Sequence, residues 1–369
     1  MAIYRIFPES DTFIFSETPS GNAGKDEILE IAGYKDISGT ARTKRAVIKF
    51  ATSEIQNVIN NKVGNSAWTS YIKMYLADAN ELPVSHSIYA YPISTTWENG
   101  VGKFGDLPVN KSGVSWTYRK SEESNAWATS AFPLNVTASF ISSQEGGGTW
   151  LTGSSGTNLE ATQSFALNAD LDLDLNVTNA THLFYSESIS NNGFILKLPD
   201  NLEFNISSSI QLKYFGVDTN TIYPPSLEIR WDDSSYSTGS LSVLSNSQSQ
   251  INVKNNKGEY VDEGKQRFRL SAKPTYPSRT FTTSSIYLTN YALPTASYWA
   301  LRDENTEEMV VDFDTNYTKI SCDSTGPYFD VYMDGLQPER YYRLLIKTTL
   351  DGSTTVIDNR NVFKIVRNG

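Results

Sequence analysis

Length, composition and charge exclude several classes of protein before any motif is considered. The chain has 369 residues, of which 39% are hydrophobic, 12% aromatic and only 20% charged. It is too apolar to be disordered and long enough for two domains. The 31 basic and 41 acidic residues give a net charge of −10. We therefore expect no basic surface and no binding to nucleic acid.

Cysteine content and the N-terminal sequence indicate where the chain folds. The chain has one cysteine, Cys322, so it cannot form an intramolecular disulfide. The start MAIYRIFPES lacks the apolar run of a signal peptide, and the chain has no 18 consecutive apolar residues. We expect synthesis and folding in a reducing cytoplasm, without membrane insertion.

The first half of the chain is dominated by strand patterns. Short runs of β-branched and aromatic residues, bounded by Gly, Pro, Asn or Ser, predict strands. Their ranges are 3–7, 12–16, 28–33, 45–50, 70–79, 86–94 and 113–119. One short helix is predicted at Ser53–Val63, with Ser53 as its N-cap, because Ile55, Val58 and Ile59 recur at helical spacing.

Two long polar segments interrupt these strands. TTWENGVGKFGDLPVNKS, residues 95–112, has the Gly, Asn and Pro content of a long loop. Loops of this length usually have a function or pack on another element. SSQEGGGTWLTGSSGTNLE contains Gly146–Gly148, which predicts a flexible hairpin or excursion.

Strand spacing changes in the last third of the chain. Seven or eight short strands are predicted in roughly 130 residues, which is typical of an immunoglobulin-like sandwich. The stretch before these strands, residues 234–250, is low in large apolar residues. We predict an N-terminal domain at 1–235, a linker at 236–250 and an immunoglobulin-like domain at 251–369.

Ordered motifs in the first 233 residues resemble the DNRLRE-type jelly-roll family. They are NAGKDE with an Asn-x-Gly turn, KRAVIKF, IYAYPISTTWENG, GVSWTYR, DLDLNVT and PPSLEIRW. The resemblance implies an all-β fold, with a jelly-roll β-sandwich before the immunoglobulin-like one. It also implies that LKYFGVDTNTIYPPSLEIRWDD, residues 212–233, is the last β-hairpin.

The resemblance implies two functions from different classes. Similar domains occur as structural proteins of tailed-bacteriophage virions, in the neck, tail, baseplate or capsid surface. Such a protein would act without catalysis, in several copies or as a homo-oligomer bound to other virion proteins, after folding in the host cytoplasm. Similar domains also look like carbohydrate-binding modules, so the alternative is adhesion to a host-surface glycan.

Aromatic residues are the candidates for glycan binding. Trp97 and Trp116 match the family's two aromatic positions, where a ring either stacks on a sugar or belongs to the core. Tyr118 and Trp150 lie in the same Trp-rich region. Trp150, beside the glycine run, is the ring expected to be exposed.

Acidic residues are the candidates for a cation. ADLDLDLN alternates, so Asp170, Asp172 and Asp174 are expected on one face of a strand. They would either form a solvent-facing row that prevents edge aggregation or, with loop carbonyls, ligate Ca²⁺. No other cofactor is expected.

Enzyme motifs are not recognisable in the sequence. His86 and His182 are not at metal-ligand spacing, Cys322 is the single cysteine, and TGSSGT is neither a nucleophile elbow nor a phosphate loop. A glycan-cleaving enzyme would need a carboxylate pair in a groove, which spacing alone does not identify. We therefore predict a protein without catalytic activity.

Overall fold

The structure is a computed structural model. It describes residues 2–80, 82–83, 85–121, 125–127, 136–138, 146–154, 157–166, 169–203, 209–277 and 289–367.

The protein is all-β, as the sequence predicts, with only short helical segments. Within the described residues, no helix has the length and apolar character needed to cross a membrane. The strands up to residue 231 are β1 (Ala2–Ile6), β2 (Pro8–Phe15), β3 (Ile28–Lys35), β4 (Ala41–Phe50), β5 (Trp68–Met74), β6 (Leu76–Asn80), β7 (Ser85–Pro92), β8 (Val136–Ala138), β9 (Thr149–Leu151), β10 (Gly153–Ser154), β11 (Thr157–Asn158), β12 (Ala161–Ala166), β13 (Leu173–Asn176), β14 (Phe194–Lys197), β15 (Ile210–Phe215) and β16 (Ser226–Trp231). The helices are α1 (Thr52–Val58), a π-helical turn at Ile59–Val63, α2 (Thr178–Tyr185) and α3 (Asp200–Glu203).

The chain forms two compact units. The N-terminal unit contains Ile6–Lys62 and Thr69–Glu228, and the C-terminal unit contains Met1–Arg5, Val63–Trp68 and Ile229–Gly369. The sequence-based domain bounds, 1–235 and 251–369 around a linker, stay predictions.

Two larger sheets, beside the short pairs β8-β9 and β10-β11, are present in the described part of the N-terminal unit. The larger has the order β12-β7-β14-β4-β3-β15-β6, and β2 also pairs with β4. In the second sheet β16, β5 and β13 lie side by side. Side chains of β5 alternate between buried and half-buried, as expected for a strand with one face in the core, whereas β4 is buried on both faces over Thr43–Ile48.

The segment expected to be a closing hairpin connects the two sheets instead. Its strands β15 and β16 form as predicted, but β15 pairs with β3 and β6, whereas β16 pairs with β5 in the other sheet. The connection at 216–225 has ten residues and ends in two prolines. It therefore carries the chain from one sheet to the other, whereas a hairpin would need only a short turn, commonly of two residues. The hairpin prediction is therefore wrong.

Two other local predictions need correction. The predicted helix is present as α1, but its N-cap is Ala51 rather than Ser53, and no side chain caps it. The predicted strand at 113–119 is absent. There the Ser115 amide donates to the Tyr118 carbonyl at 2.7 Å, which turns the backbone out of an extended conformation.

The C-terminal unit has the immunoglobulin-like arrangement. Its strands are β17 (Ser249–Val253), β18 (Glu259–Val261), β19 (Lys265–Pro274), β20 (Ser297–Asp303), β21 (Met309–Val311), β22 (Ser321–Asp323), β23 (Gly326–Tyr332), β24 (Tyr341–Leu350) and β25 (Ser353–Val366), with a 3₁₀ turn at Met333–Gly335. One sheet has the order β17-β19-β23-β22 and the other β18-β25-β24-β20-β21. These orders correspond to the A-B-E-D and A′-G-F-C-C′ sheets of immunoglobulin domains.

Two further features of immunoglobulin domains are present. Trp299 on β20 is buried and stacks on Phe329, with ring centroids 5.1 Å apart. At the start of β24, the Tyr342 hydroxyl donates to the Gln337 carbonyl at 3.0 Å, which forms a tyrosine corner. Cys322 is buried and is not in a disulfide, so packing of aromatic rings holds this core together.

The tyrosine corner gives a testable prediction for stability. Replacing Tyr342→Phe removes the donor to the half-buried Gln337 carbonyl and should lower the free energy of unfolding by about 1 kcal/mol. Urea unfolding measures the change. Tyr341→Phe, at the exposed neighbouring position, is the matched control and should have no effect. Equal stability of both variants would contradict a structural role for the Tyr342 hydroxyl.

Candidate functional site

The aromatic residues predicted from sequence come together, but in the core. Trp97, Trp116 and Trp150 belong to one cluster with Tyr91, and Trp116 and Trp150 are buried. Trp97 is partly buried and donates its indole N–H to the Asn192 carbonyl at 2.8 Å. Tyr118 is half-buried on the same loop and is not a member of the cluster. The core interpretation is correct for Trp116.

The expectation that Trp150 is exposed is wrong, since only 4% of its surface is accessible. Its ring stacks on Tyr91 at a centroid distance of 5.6 Å. The segment 142–160 was expected to form a flexible hairpin or excursion; residues 142–145 and 155–156 lie outside the described residues, and β10 pairs antiparallel with β11. Gly146–Gly148 themselves are not part of this hairpin. The Gly147 amide donates to the Trp116 carbonyl at 2.6 Å, and its own carbonyl accepts from Arg45 at 2.6 Å. These bonds draw the following residues onto the sheet, and Trp150 is covered.

A buried ion pair lies beneath these rings. The Arg45 guanidinium donates from Nε to Glu203 Oε1 at 2.9 Å and from a second nitrogen to Oε2, and each residue is about 2% accessible or less. Arg45 also lies 5.0 Å from the centroid of Trp116 and 5.4 Å from that of Trp150. Such a bidentate pair fixes geometry and is costly to break. Sequence reasoning did not single out this pair, although KRAVIKF contains Arg45.

The three aspartates do not share one strand face. Strand β13 begins at Leu173, so only Asp174 lies in it. Asp172 accepts the Leu76 amide at 2.8 Å, and Asp170 accepts the Asp172 amide at 3.1 Å. Both carboxylates therefore help to order the turn before the strand. In the described ranges no three acidic, His or Cys side chains are placed to hold a metal, and calcium binding stays a prediction.

The long loop of the N-terminal unit carries a group of exposed hydrophobic residues. We call residues 99–113 the apolar loop. Four of its large hydrophobic side chains are exposed, and Leu107 is 92% accessible. These four are Val101, Phe104, Leu107 and Val109, and Lys103, Pro108 and Lys111 are exposed between or beside them. Exposed apolar residues are ordinarily scattered, so a group of four within nine positions makes the loop the candidate site.

One asparagine holds the apolar loop in place. The Asn22 side-chain amide donates to the carbonyls of Asn99 and Val114, both at 2.7 Å. Its oxygen accepts the amides of Gly24 and Gly102 at 3.0 and 2.9 Å. Both donors and both acceptor sites of this side chain are therefore used. Asn22 is 2% accessible, so water does not compete for these bonds.

Two glycines allow this close packing. Gly100 and Gly113 have φ values of +82° and +93°, and a Cβ on Gly100 would lie 1.9 Å from the Ser112 carbonyl oxygen. A Cβ on Gly113 would lie 2.5 Å from the Gly100 Cα. Only glycine fits at these positions. The loop is held rigidly although it contains no strand.

A small cavity lies under the apolar loop. Its volume is about 200 Å³, and its lining includes Phe15, Thr18, Phe104 and Leu107. Phe104 packs edge-on against Phe15 at 5.0 Å, and the Lys44 ammonium lies 3.9 Å from the Phe104 ring centroid. The anchored ring and the exposed Leu107 give the surface a fixed shape.

A buried carboxyl, that of Asp11, lies on β2. Asp11 is 2% accessible; one of its oxygens accepts the Val217 amide at 2.7 Å, and the other has no partner among the described residues. Burial raises the pKa of Asp11 to about 7, and the charge of Asp218 adds to this rise, whereas the Val217 amide and Lys25 oppose it. Asp11 is therefore half protonated near neutral pH.

The comparisons with known proteins give little information. The chain matches no family model and no curated protein sequence. Among solved structures it is similar to a DUF4785 family protein from Legionella pneumophila, with 9% sequence identity and a TM-score of 0.18. That alignment covers 99% of this chain and 66% of the other, so the chain spans just under two thirds of that protein's length. A TM-score this low supports no argument about function.

Asn22 gives a prediction for the apolar loop. Asn22→Asp removes both amide donors and places a negative charge between the Asn99 and Val114 carbonyls. The free energy of unfolding should fall by about 3 kcal/mol, measured by urea unfolding. Asn110→Asp is the control, because Asn110 uses only its oxygen as an acceptor, from Ser112. Equal losses in both variants would show that the donors of Asn22 do not hold the loop.

Asp11 gives a prediction for pH dependence. Its folded pKa is raised above the unfolded value of 3.8, so the folded state binds the proton more tightly. The corresponding contribution to stability is present at low pH and is lost as the pH rises through about 4 to 7. Between pH 5 and pH 8 the wild type should lose about 2 to 3 kcal/mol relative to Asp11→Asn.

Urea unfolding at the two pH values measures this difference. Asp218→Asn is the control that shows whether the pH slope comes from Asp11 itself, because it removes a nearby charge but leaves the Asp11 carboxyl in place. If wild type and Asp11→Asn have the same pH slope, the Asp11 carboxyl does not titrate in this range.

Proposed function

We propose that this protein is a non-enzymatic structural component of a tailed-bacteriophage virion, and that the apolar loop binds another virion protein. The observation that supports this role is the rigid display of Val101, Phe104, Leu107 and Val109 on a loop held by Asn22. A loop ordered before binding loses little conformational entropy when a partner covers it. Apolar side chains in such a position favour a protein partner over a polar ligand.

The remaining support comes from the sequence. The ordered motifs that resemble the DNRLRE-type family are similar to those of tailed-phage structural proteins. A β-sandwich joined to an immunoglobulin-like unit suits a role as a connector or attachment arm. In a symmetric particle many copies bind at once, so each contact can be weak and the protein still stays attached. We propose that the protein folds in the host cytoplasm before it joins the virion.

Glycan binding is the alternative function. As framed from the sequence, it required aromatic rings exposed near Trp97 and Trp116. The burial of Trp116 and Trp150 counts against stacking of a sugar on these two rings. Glycan binding elsewhere on the protein stays a prediction.

Immunogold labelling of purified particles tests the proposed location. Antibodies to the recombinant protein should place gold at one fixed position on the particle, whether neck, tail, baseplate or capsid surface. Protein recovered only in the soluble fraction of the same lysate would overturn the structural role.

Leu107→Asp tests the proposed contact surface. This side chain is 92% accessible, so the variant should fold with unchanged thermal stability. It should be strongly depleted from particles assembled in cells that supply it as the sole copy, measured by immunoblot after density-gradient purification. Ile37→Asp changes an equally exposed residue in the turn between β3 and β4 and serves as the control. Normal incorporation of Leu107→Asp would exclude the apolar loop as the contact.

A further inference from the structure

Strand β25 of the C-terminal unit has an outer edge that is only partly paired. On one side it pairs with β24 along most of its length. On the other side β18 pairs only with Lys364–Val366. Within the described part of the chain, the outer edge of residues 353–357 therefore has no strand partner.

Hairpin geometry identifies the backbone groups on this edge. The turn between β24 and β25 is Asp351-Gly352, with φ values of +51° and +73°, as in a two-residue type I′ turn. Leu350 and Ser353 close the turn, and hydrogen-bonded pairs alternate with non-hydrogen-bonded pairs beyond it. The N–H and C=O groups of Thr354 and Val356 therefore point away from β24.

This edge lacks the usual protection against strand addition. Natural edges are commonly blocked by Lys, Pro or a bulge. Residues 353–357, Ser-Thr-Thr-Val-Ile, contain no charge and no proline, and four of the five are β-branched. A bulge occurs only beyond them, where Arg360 has a φ of +52°. The edge is thus suited to pairing over about five residues.

We propose that this edge pairs antiparallel with the same edge of a second copy of the chain, with the two-fold axis at Thr355. In this register Thr354 pairs with Val356 of the second copy, and Val356 pairs with Thr354 of the second copy. The four outward N–H groups then donate to the four outward carbonyls. An edge whose donors and acceptors lie symmetrically about one residue is self-complementary, as an isologous interface requires.

Side chains and charge support a second copy of the chain as the partner of this edge. The two Thr355 residues form the central non-hydrogen-bonded pair, and β-branched residues lie opposite one another on both sides of it. The nearest acidic residues, Asp351 and Asp358, lie outside the paired segment, so no like charges oppose each other within it. A different extended segment would gain the same backbone bonds but not this symmetry.

The pairing deepens the proposed function, because it supplies the contact between copies that a symmetric particle needs. Five paired residues bury much less than the roughly 800 Å² per partner typical of a stable complex. Pairing of free protein is therefore weak, and it becomes strong where other contacts hold copies side by side.

Disulfide crosslinking of the purified full-length chain tests the register. Thr355→Cys places two thiols at the two-fold axis, where the Cα atoms of a non-hydrogen-bonded pair lie about 4.5 Å apart, within reach of a disulfide. Under mild oxidation we expect conversion from 41.1 kDa to a dimer of twice that mass on a non-reducing gel. Cys322 is buried and remains in place.

Ser353→Cys is the matched control for chance collisions. It is exposed on the same edge, but the register separates the two copies of residue 353 by four residues along the strand, roughly 13 Å. It should crosslink far less than Thr355→Cys. Equal crosslinking of the two variants, or none in either, would overturn the proposal.

A second pair of variants tests the backbone contact. Adding Val356→Pro to Thr355→Cys removes an outward N–H without touching the bonds to β24, so crosslinking should be lost while the circular dichroism spectrum is unchanged. Adding Val356→Thr keeps the N–H and should preserve crosslinking. Crosslinking that persists with proline would overturn the proposal. These measurements need no particles, so their failure is distinct from failure of immunogold labelling.

Discussion

The hydrogen bonds of the Asn22 side chain are the constraint on which the candidate site depends. A long segment without strand pairing must satisfy its backbone polar groups in another way, because unpaired groups that are buried cost free energy. Asn22 satisfies four such groups, on Gly24, Asn99, Gly102 and Val114. With the backbone fixed from inside and Phe104 packed on Phe15, the Leu107 side chain can point outward, because the order of the loop does not depend on it. The result is an exposed apolar surface whose backbone is ordered within the protein itself.

The aromatic cluster around Trp116 and Trp150 is buried, unlike the exposed side chains of the apolar loop. Arg45 and Glu203 are charged, yet they are buried under Trp116 and Trp150. Their bidentate pairing offsets the cost of removing both charges from water, and the third Arg45 contact, to Gly147, ties the glycine run to the sheet. Trp116 and Trp150, which the sequence offered as candidates for sugar stacking, therefore belong to the core and cover the buried Arg45–Glu203 pair.

The two proposed contact surfaces are of different kinds. The apolar loop of the N-terminal unit offers exposed hydrophobic side chains in a fixed backbone, whereas the edge of β25 at residues 353–357, which has no strand partner among the described residues, offers backbone donors and acceptors. Either contact is small by itself. Repetition in a symmetric particle would combine many such contacts, since linked binding events gain from a high effective concentration. This combination is why we favour an assembly role over a single high-affinity ligand site.

The sequence alone determined the features that depend on local periodicity and on short motifs. Alternation of apolar residues and the spacing of turns gave the all-β class and the immunoglobulin-like unit, and a single short helical pattern gave α1. The NAG, WENG and GVSW motifs were visible, but not the fact that Asn22 joins all three. That convergence, the burial of Trp150, the pairing of Arg45 with Glu203 and the raised pKa of Asp11 were decided by tertiary structure. So were the different partners of β15 and β16, because a strand pattern specifies which face is apolar but not which distant strand supplies its hydrogen bonds.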